Sequence, residues 1–525
     1  MSDHENHTTS DPGQPEYLGA SESRPHSGHR WAAVVAASVA VLAAAGAGAW
    51  GVAQLMANGD SPAIAVPGDA VAYLSLDLDP AASQKVQALT TLKKFPAIAE
   101  HLDLGVRDDV RRWVFEQAQE DGACKNVDYA VDIAPWLGDR MAVAAVPDGS
   151  GSVTPLVVLQ VSDQDAARAG AEVMSGCADE DVATAFVGDY MLLSEKQRDV
   201  DDMAAAAGSD PLVDDAGFAT WMDRVGDPGI VTAYAAAGLP QVLIESELAE
   251  GAEDPDLTEQ VGSLYEDFEG AAAVVRFAEG SVEAEVASAG LPAGMASGEG
   301  VPTLGTLPDT TAAALSVGLP DGWLQDYTAS MQEMMGTGEN ESADDFWTEM
   351  ERGSGFQLPE DIETLLGDGL TLAADSSADL DSIIEGDEST DVPVGVRISG
   401  DPSEITRVLD KVLVEAGEAR DLVFVRETDD GVTIGLQQEY VDELVAGGSL
   451  AETESFSRVI PDVDRVGAAF YVDFDAGDDW ARRLADDLSS GDPEVVENVA
   501  PLDAVGLSSW TEEDIAHGLF RMTTD

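Results

Sequence analysis

Leu212-Val-Asp-Asp-Ala-Gly-Phe-Ala-Thr-Trp-Met-Asp-Arg-Val-Gly-Asp-Pro-Gly-Ile-Val-Thr-Ala-Tyr-Ala235 aligns without a gap to Leu450-Ala-Glu-Thr-Glu-Ser-Phe-Ser-Arg-Val-Ile-Pro-Asp-Val-Asp-Arg-Val-Gly-Ala-Ala-Phe-Tyr-Val-Asp473. The constant offset of 238 pairs Leu212 with Leu450, Phe218 with Phe456, Val225 with Val463 and Gly229 with Gly467. Apolar positions held at one spacing while their neighbours change are what a shared core leaves behind, because packing tolerates few other changes. Outward from this stretch the same landmarks recur in the same order. Residues 67–78 match 308–319, Leu137-Gly138-Asp139 matches Leu366-Gly367-Asp368, and the strand-like segment from Pro155 matches that from Pro393. The repeat predicts one fold present twice, copy one over 63–288 and copy two over 305–525. Repeats of this length are domains, not solenoid units of about 20–50 residues. Residues 289–304, dense in Gly and Pro, read as a linker between them.

Within copy one, Ala70–Leu78 alternates as a half-buried strand does. Arg140–Val146 and Leu156–Val161 read as strands joined through Pro147-Asp148-Gly149-Ser150-Gly151, and Gly188-Asp189 and Glu279-Gly280 mark two further hairpins. Helical spacing appears over 81–92, 108–119, 163–174, 195–207 and 216–225. Hairpins mixed with helices, without repeated strand-helix-strand units, predict an α+β fold with largely antiparallel sheets in both tandem homologous domains.

Upstream, residues 1–30 have no apolar run and hold four of the six histidines, which predicts a disordered, solvated tail. Trp31–Ala53 carries no charge. As a helix it would extend about 34 Å against a hydrocarbon core of about 30 Å, so residues 31–56 are expected to form a single transmembrane signal-anchor. Arg24 and Arg30 precede the run and the next base is Lys85, which puts the tail in the cytoplasm and both domains outside the cell membrane. The competing readings are a cleaved signal peptide and a buried soluble helix, against which stand the long leader and the absence of a polar face.

The chain of 525 residues has 101 acids against 26 bases, a net charge of −75, and 44% hydrophobic residues. Such a surface repels nucleic acid, while the hydrophobic fraction excludes a wholly disordered chain. Cys124 and Cys177 are the only cysteines. An oxidising compartment favours a disulfide between them, and two buried free thiols are the alternative. The local exception to the acidity is Lys85, Lys93, Lys94, Arg107, Arg111 and Arg112, six bases against four acids. This stretch is a candidate docking face for lipid headgroups or another anionic envelope component, or else pairs with the protein's own acids.

Catalytic motifs are missing. Outside the tail only His101 and His517 remain, in different copies, and neither has a triad or zinc-site partner motif. Asp77 with Asp79, and Asp473 with Asp475, could share strand faces, as acids do by chance in so acidic a chain. No cofactor and no metal is expected.

The residues that carry a family likeness are Pro67-Gly-Asp-Ala-Val-Ala-Tyr-Leu-Ser-Leu-Asp-Leu-Asp-Pro80, Lys93-Lys94-Phe95-Pro96, Pro135-Trp136-Leu137-Gly138-Asp139-Arg140 and Val158-Leu159-Gln160-Val161. With the apolar run before them, they resemble actinobacterial membrane proteins catalogued as domain of unknown function 3352, over most of the exported chain and more specifically in copy one. The resemblance implies an uncharacterised envelope protein and supplies no activity and no functional residues. The expected function is a membrane-anchored extracytoplasmic module with a structural or interaction role. The alternatives are a carrier of a lipid or other apolar ligand and, third, an enzyme using carboxylates.

Overall fold

The computed structural model describes residues 61–77, 127–175, 182–245, 265–278, 280–290, 303–320, 355–378, 392–415, 417–477 and 493–525, with scattered positions between 87 and 119, between 322 and 352, and at 485 and 489. The first eight strands are β1 (Ala72–Asp77), β2 (Leu137–Pro147), β3 (Val153–Val161), β4 (Ala183–Val187), β5 (Tyr190–Ser194), β6 (Val231–Ala236), β7 (Gly270–Ala278) and β8 (Ser281–Ala289). The second eight are β9 (Thr311–Gly318), β10 (Gly369–Asp375), β11 (Val394–Ser399), β12 (Phe424–Glu427), β13 (Gly431–Gly435), β14 (Ala468–Asp473), β15 (Leu502–Glu512) and β16 (Ile515–Thr524). All sixteen form one sheet in the order β12-β13-β11-β10-β9-β14-β15-β16-β8-β7-β6-β1-β2-β3-β5-β4, with every neighbouring pair antiparallel.

Counted from the middle, the first half runs 8-7-6-1-2-3-5-4 and the second runs 16-15-14-9-10-11-13-12. The strand order is therefore the same in both halves. They meet along β8 and β16, where Ser281–Ser288 pairs with Ala516–Thr523. This corrects the expectation of an α+β chain whose tandem domains each hold a sheet of their own. A hairpin strand at the end of a half-sheet would leave a row of free N–H and C=O groups, and pairing β8 with β16 satisfies both rows at once. The expected transmembrane helix is corrected too. Among the described residues no helix is long and apolar enough to cross a membrane, and residues 31–56 lie outside them.

Seven helices place the cores: α1 (Gln164–Ser175), α2 (Gln197–Ala207), α3 (Ala216–Val225), α4 (Glu360–Leu366), α5 (Pro402–Glu415), α6 (Gln438–Ala446) and α7 (Glu454–Val459). Asp215 caps α3 by accepting a hydrogen bond from the Phe218 N–H at 2.8 Å. The helix then buries Phe218, Trp221, Met222 and Val225. Together with Val200 and Met203 of α2 they pack on Tyr73, Ala142, Leu156, Leu192 and Tyr234 of one sheet face, the inner face. In the second half Tyr440 and Leu444 of α6 and Phe456 and Val459 of α7 cover Ala314, Ala373, Ala469 and Tyr471 on the same face. The opposite, outer face is covered near its two ends. Ala167 and Ala171 of α1 pack there with Trp136, Val161 and Met191, and Ile405 and Leu409 of α5 pack with Ile398 and Val432. It is covered also beside β9 and β14, where Val499 of the helix Pro493–Val499 packs with Ala312 and Val472.

The gap-free alignment holds at its start and slips by one residue at its end. Leu212 and Leu450 each open a buried 3-10 turn, and Phe218 and Phe456 each meet a tyrosine edge-on, with ring centres 5.2 Å and 5.0 Å apart. The tyrosines are Tyr234 and Tyr471, so Tyr471 rather than Val472 stands at the place of Tyr234. The cause is local: α3 runs ten residues without a break, whereas α7 stops after six and a 3-10 turn at Val463–Arg465 follows.

Candidate functional site

Two features stand out where the halves meet: a charged seam on the inner face and an uncharged surface on the outer one. Strand alternation sets both. In β8, Glu283 and Glu285 share the inner phase with Ala287, while Val282, Ala284 and Val286 point outward. Glu283 faces Arg521 of β16 and Arg276 of β7, and Glu285 faces Leu519. The Arg276 Nε donates to Glu283 Oε2 at 3.2 Å and its Nη1 to the Asp227 carbonyl at 3.0 Å. Arg521 places Nη2 3.1 Å from Glu283 Oε1, and its Nη1 donates to the Arg458 carbonyl at 3.2 Å. Glu285 lies 3.8 Å from Arg276 Nη2 and 4.0 Å from His517 Nδ1. The His517 ring stacks on Trp510, planes 2° apart, and the Arg465 guanidinium covers the other ring system at 4.1 Å from its centre.

Arg276, Glu283, Glu285 and His517 are all buried. Burial pushes the Glu285 carboxyl up to about 7, against the pull of Arg276, and pushes the His517 imidazole down. It also raises Asp227 and lowers Arg276. Several buried polar atoms here have no hydrogen-bond partner: Asp227 Oδ1, Arg276 Nη2, Trp510 Nε1, Arg521 Nε and both His517 nitrogens. Ion pairs of this kind add little net stability but are expensive to break. They also fix register, since a slip of one residue would turn Glu283 and Glu285 onto the outer face.

The outer face shows what that slip would spoil. One register row is apolar in every strand. From β12 to β15 it reads Val425, Ile434, Val396, Leu372, Leu315, Phe470 and Leu507. From β16 to β4 it continues Phe520, Ala284, Val275, Val231, Leu76, Met141, Leu159, Met191 and Phe186. On the nine strands from β10 to β1 the outward positions carry no charge at all. Leu315, Leu372, Phe470 and Leu507 are neighbours in this row and stand between 41% and 47% exposed.

The residues singled out from sequence fall elsewhere. Lys94 donates to Thr524 Oγ1 at 2.9 Å and to the Asp525 carbonyl, tying the 87–96 segment to the end of β16. The Arg111 Nη1 donates to the Leu137 carbonyl at 2.8 Å and lies 3.4 Å from Asp139, while Arg112 sits over the Tyr129 ring at 5.3 Å. Lys93 is exposed. Lys85, Arg107, Cys124, Cys177, Asp79 and His101 lie outside the described residues. Asp77 accepts from Arg140 Nε at 2.9 Å, and Asp473 accepts from Ser455 Oγ at 2.8 Å. Asp475 is pushed up to about 6, first by burial and then by the charge of Asp525. Among the described residues no group of His, Cys, Asp and Glu could hold a metal ion. Sequence reading missed Arg276, Glu283, Glu285, Trp510 and Arg521. Glutamates alternating with apolar residues over 281–287 look like a solvated strand face, and only the covering by α3 and α7 turns them inward.

Comparison with known proteins adds little. Residues 33–175 match the family model described as Protein of unknown function (DUF3352), a narrower span than the motif likeness suggested. No curated protein matches the chain. A solved structure titled "Structure of crystal form III of TP0453" overlaps 44% of this chain and 80% of its own, at 9% identity and a TM-score of 0.20, too low to carry an argument.

Proposed function

We propose that the chain is a structural or interaction module of the cell envelope, held on the extracytoplasmic side, that works by presenting a surface. The observation that carries this reading is the outer face: nine adjacent strands without an outward charge in a chain of net charge −75. Charge depletion around exposed large apolar side chains is what separates the centre of a protein interface from ordinary surface. The extracytoplasmic side is part of the proposal and rests on the motif likeness alone. The actinobacterial source suggested by the motifs belongs to the same proposal.

A carrier of a lipid or other apolar ligand would need an enclosed apolar cavity. The groove described along α6 is lined by Gln438, Glu439, Asp442, Glu443 and Ala446, a polar lining that suits such a ligand poorly. The test of the interaction reading is the binding of an apolar fluorescent dye to the folded full-length chain. Enhanced fluorescence that Leu315→Gln and Phe470→Gln abolish is the expected result. A folded chain that leaves the dye dark contradicts it.

A further inference from the structure

We infer that the partner on the outer face is a second copy of this chain, docked sheet on sheet with Leu315, Leu372, Phe470 and Leu507 at the centre of the contact; this rests on the reading of that face as a docking surface. Three observations point to a like partner. The first is charge. Any two copies repel each other across most of their surfaces, since each carries −75. The outward positions from β10 to β1 are the region where one copy meets another without bringing carboxylates together.

The second is extent. Nine strands at about 4.8 Å spacing and three residue rows span on the order of 800 Å². Ala72, Ala284, Ser288 and Thr524 lie within that span and are already buried by the chain itself. The open part, centred on the four large side chains, is therefore smaller than the roughly 800 Å² each partner gives a standard interface, and it fits a dimer that forms only at micromolar concentrations.

The third is shape. A two-fold dimer presents the same surface on both sides, so the surface must fit itself. A sheet face with alternate residues outward does so, stacking at about 10 Å from its twin as in a sandwich. The four large side chains lie in adjacent strands β10, β9, β14 and β15 of the second half. The corresponding strands of the first half offer Ala233 and Ala273 where Phe470 and Leu507 stand, so the second half seats the contact.

The experiment is sedimentation velocity on the full-length chain over about 1–100 µM, at about 0.05 M and 0.5 M salt. The expected result is a species of twice 54.8 kDa that tightens at least about tenfold at the higher salt, because screening removes the repulsion between the acidic surfaces. Phe470→Asp should give a monomer with an unchanged circular dichroism spectrum, and Leu507→Gln, milder and on the next strand, should weaken the dimer while leaving the melting curve of the monomer in place. A wild-type monomer that still binds the apolar dye overturns the dimer and leaves the docking surface standing for another partner. A monomer that does not bind the dye overturns both. A dimer untouched by Phe470→Asp, one that salt dissociates, or a monomer carrying a lipid-sized adduct in a native mass spectrum also overturns it.

Discussion

Seven residues apart across equivalent hairpins, the first half pairs Arg276 with Glu283 and the second pairs Trp510 with His517. The strand positions are the same and the chemistry is not. One is a buried ion pair, the other an aromatic stack with its rings 2° from parallel. The outer face diverges in the same way. Ala233 and Ala273 in the first half stand where Phe470 and Leu507 stand in the second. What the halves keep is alternation, strand order and the Leu and Phe beneath the helices. The fold therefore depends on which face a residue occupies, and the identity of the residue is free to vary wherever a partner across the strand can match it.

The comparison breaks hardest at the seam. Arg276→Met leaves Glu283 and Glu285 buried with less compensation and should cost about 3–5 kcal/mol in urea unfolding. Adding Glu283→Leu should recover part of that loss, and Trp510→Phe should cost less than the arginine change. Equal costs for the two halves would mean that the ion pair and the stack are not different solutions to one packing problem.

Next come the shared core positions. Leu212→Ala and Leu450→Ala should each cost about 3 kcal/mol, because both leucines are completely buried. A loss at one and none at the other would show that the two cores are not built alike.

The seam also makes a pH prediction. The folded chain keeps a proton on Glu285 up to about pH 7, whereas a free glutamate releases it near 4.5. This group stabilises the fold below its ordinary value, and that contribution is lost as the pH rises through about 7. His517 works in the opposite sense: its lowered value contributes stability above the ordinary histidine value, which is lost as the pH falls. Glu285→Gln should therefore flatten the decline in stability between about pH 5 and 8 by roughly 2 kcal/mol, read from urea titrations of both proteins. An unchanged slope would place the titration elsewhere.

The smallest effect lies at the turns. Gly280 takes a left-handed conformation at φ 71°, and Asp514, at the same place in the β15–β16 hairpin, takes φ 67° without glycine's freedom. Asp514→Gly should raise stability by about 0.5–1 kcal/mol in the same assay. A loss would mean that the aspartate makes a compensating contact.

Much of this was legible in the residues themselves. Leu212, Leu450, Phe218 and Phe456 have the equivalent roles that their spacing suggested, and the expected hairpin joins β7 to β8 at Gly280. The one-residue slip before Tyr471 was not legible, because a helix that ends early and a 3-10 turn leave no mark in an alignment without gaps. Nor was the joined sheet. Whether β8 stays an edge or finds β16 depends on contacts more than 200 residues apart, which local periodicity does not record. The seam was hidden for a related reason: Glu283 and Glu285 read as outward until a covering helix assigns the other face. The surroundings of the basic stretch were not legible either, because charge counted along the chain says nothing of the carbonyls and rings that Arg111 and Arg112 meet.

Hydrogen exchange read by mass spectrometry on the full-length chain tests the joined sheet most directly. Central strands exchange slowly and edge strands quickly, since only paired amides are protected. The expected result is protection over 282–288 and 516–522 as deep as in β1 and β9, the middle strands of each half. Exchange there as fast as in the edge strands β4 and β12 would contradict it, and the halves would then be two sheets side by side.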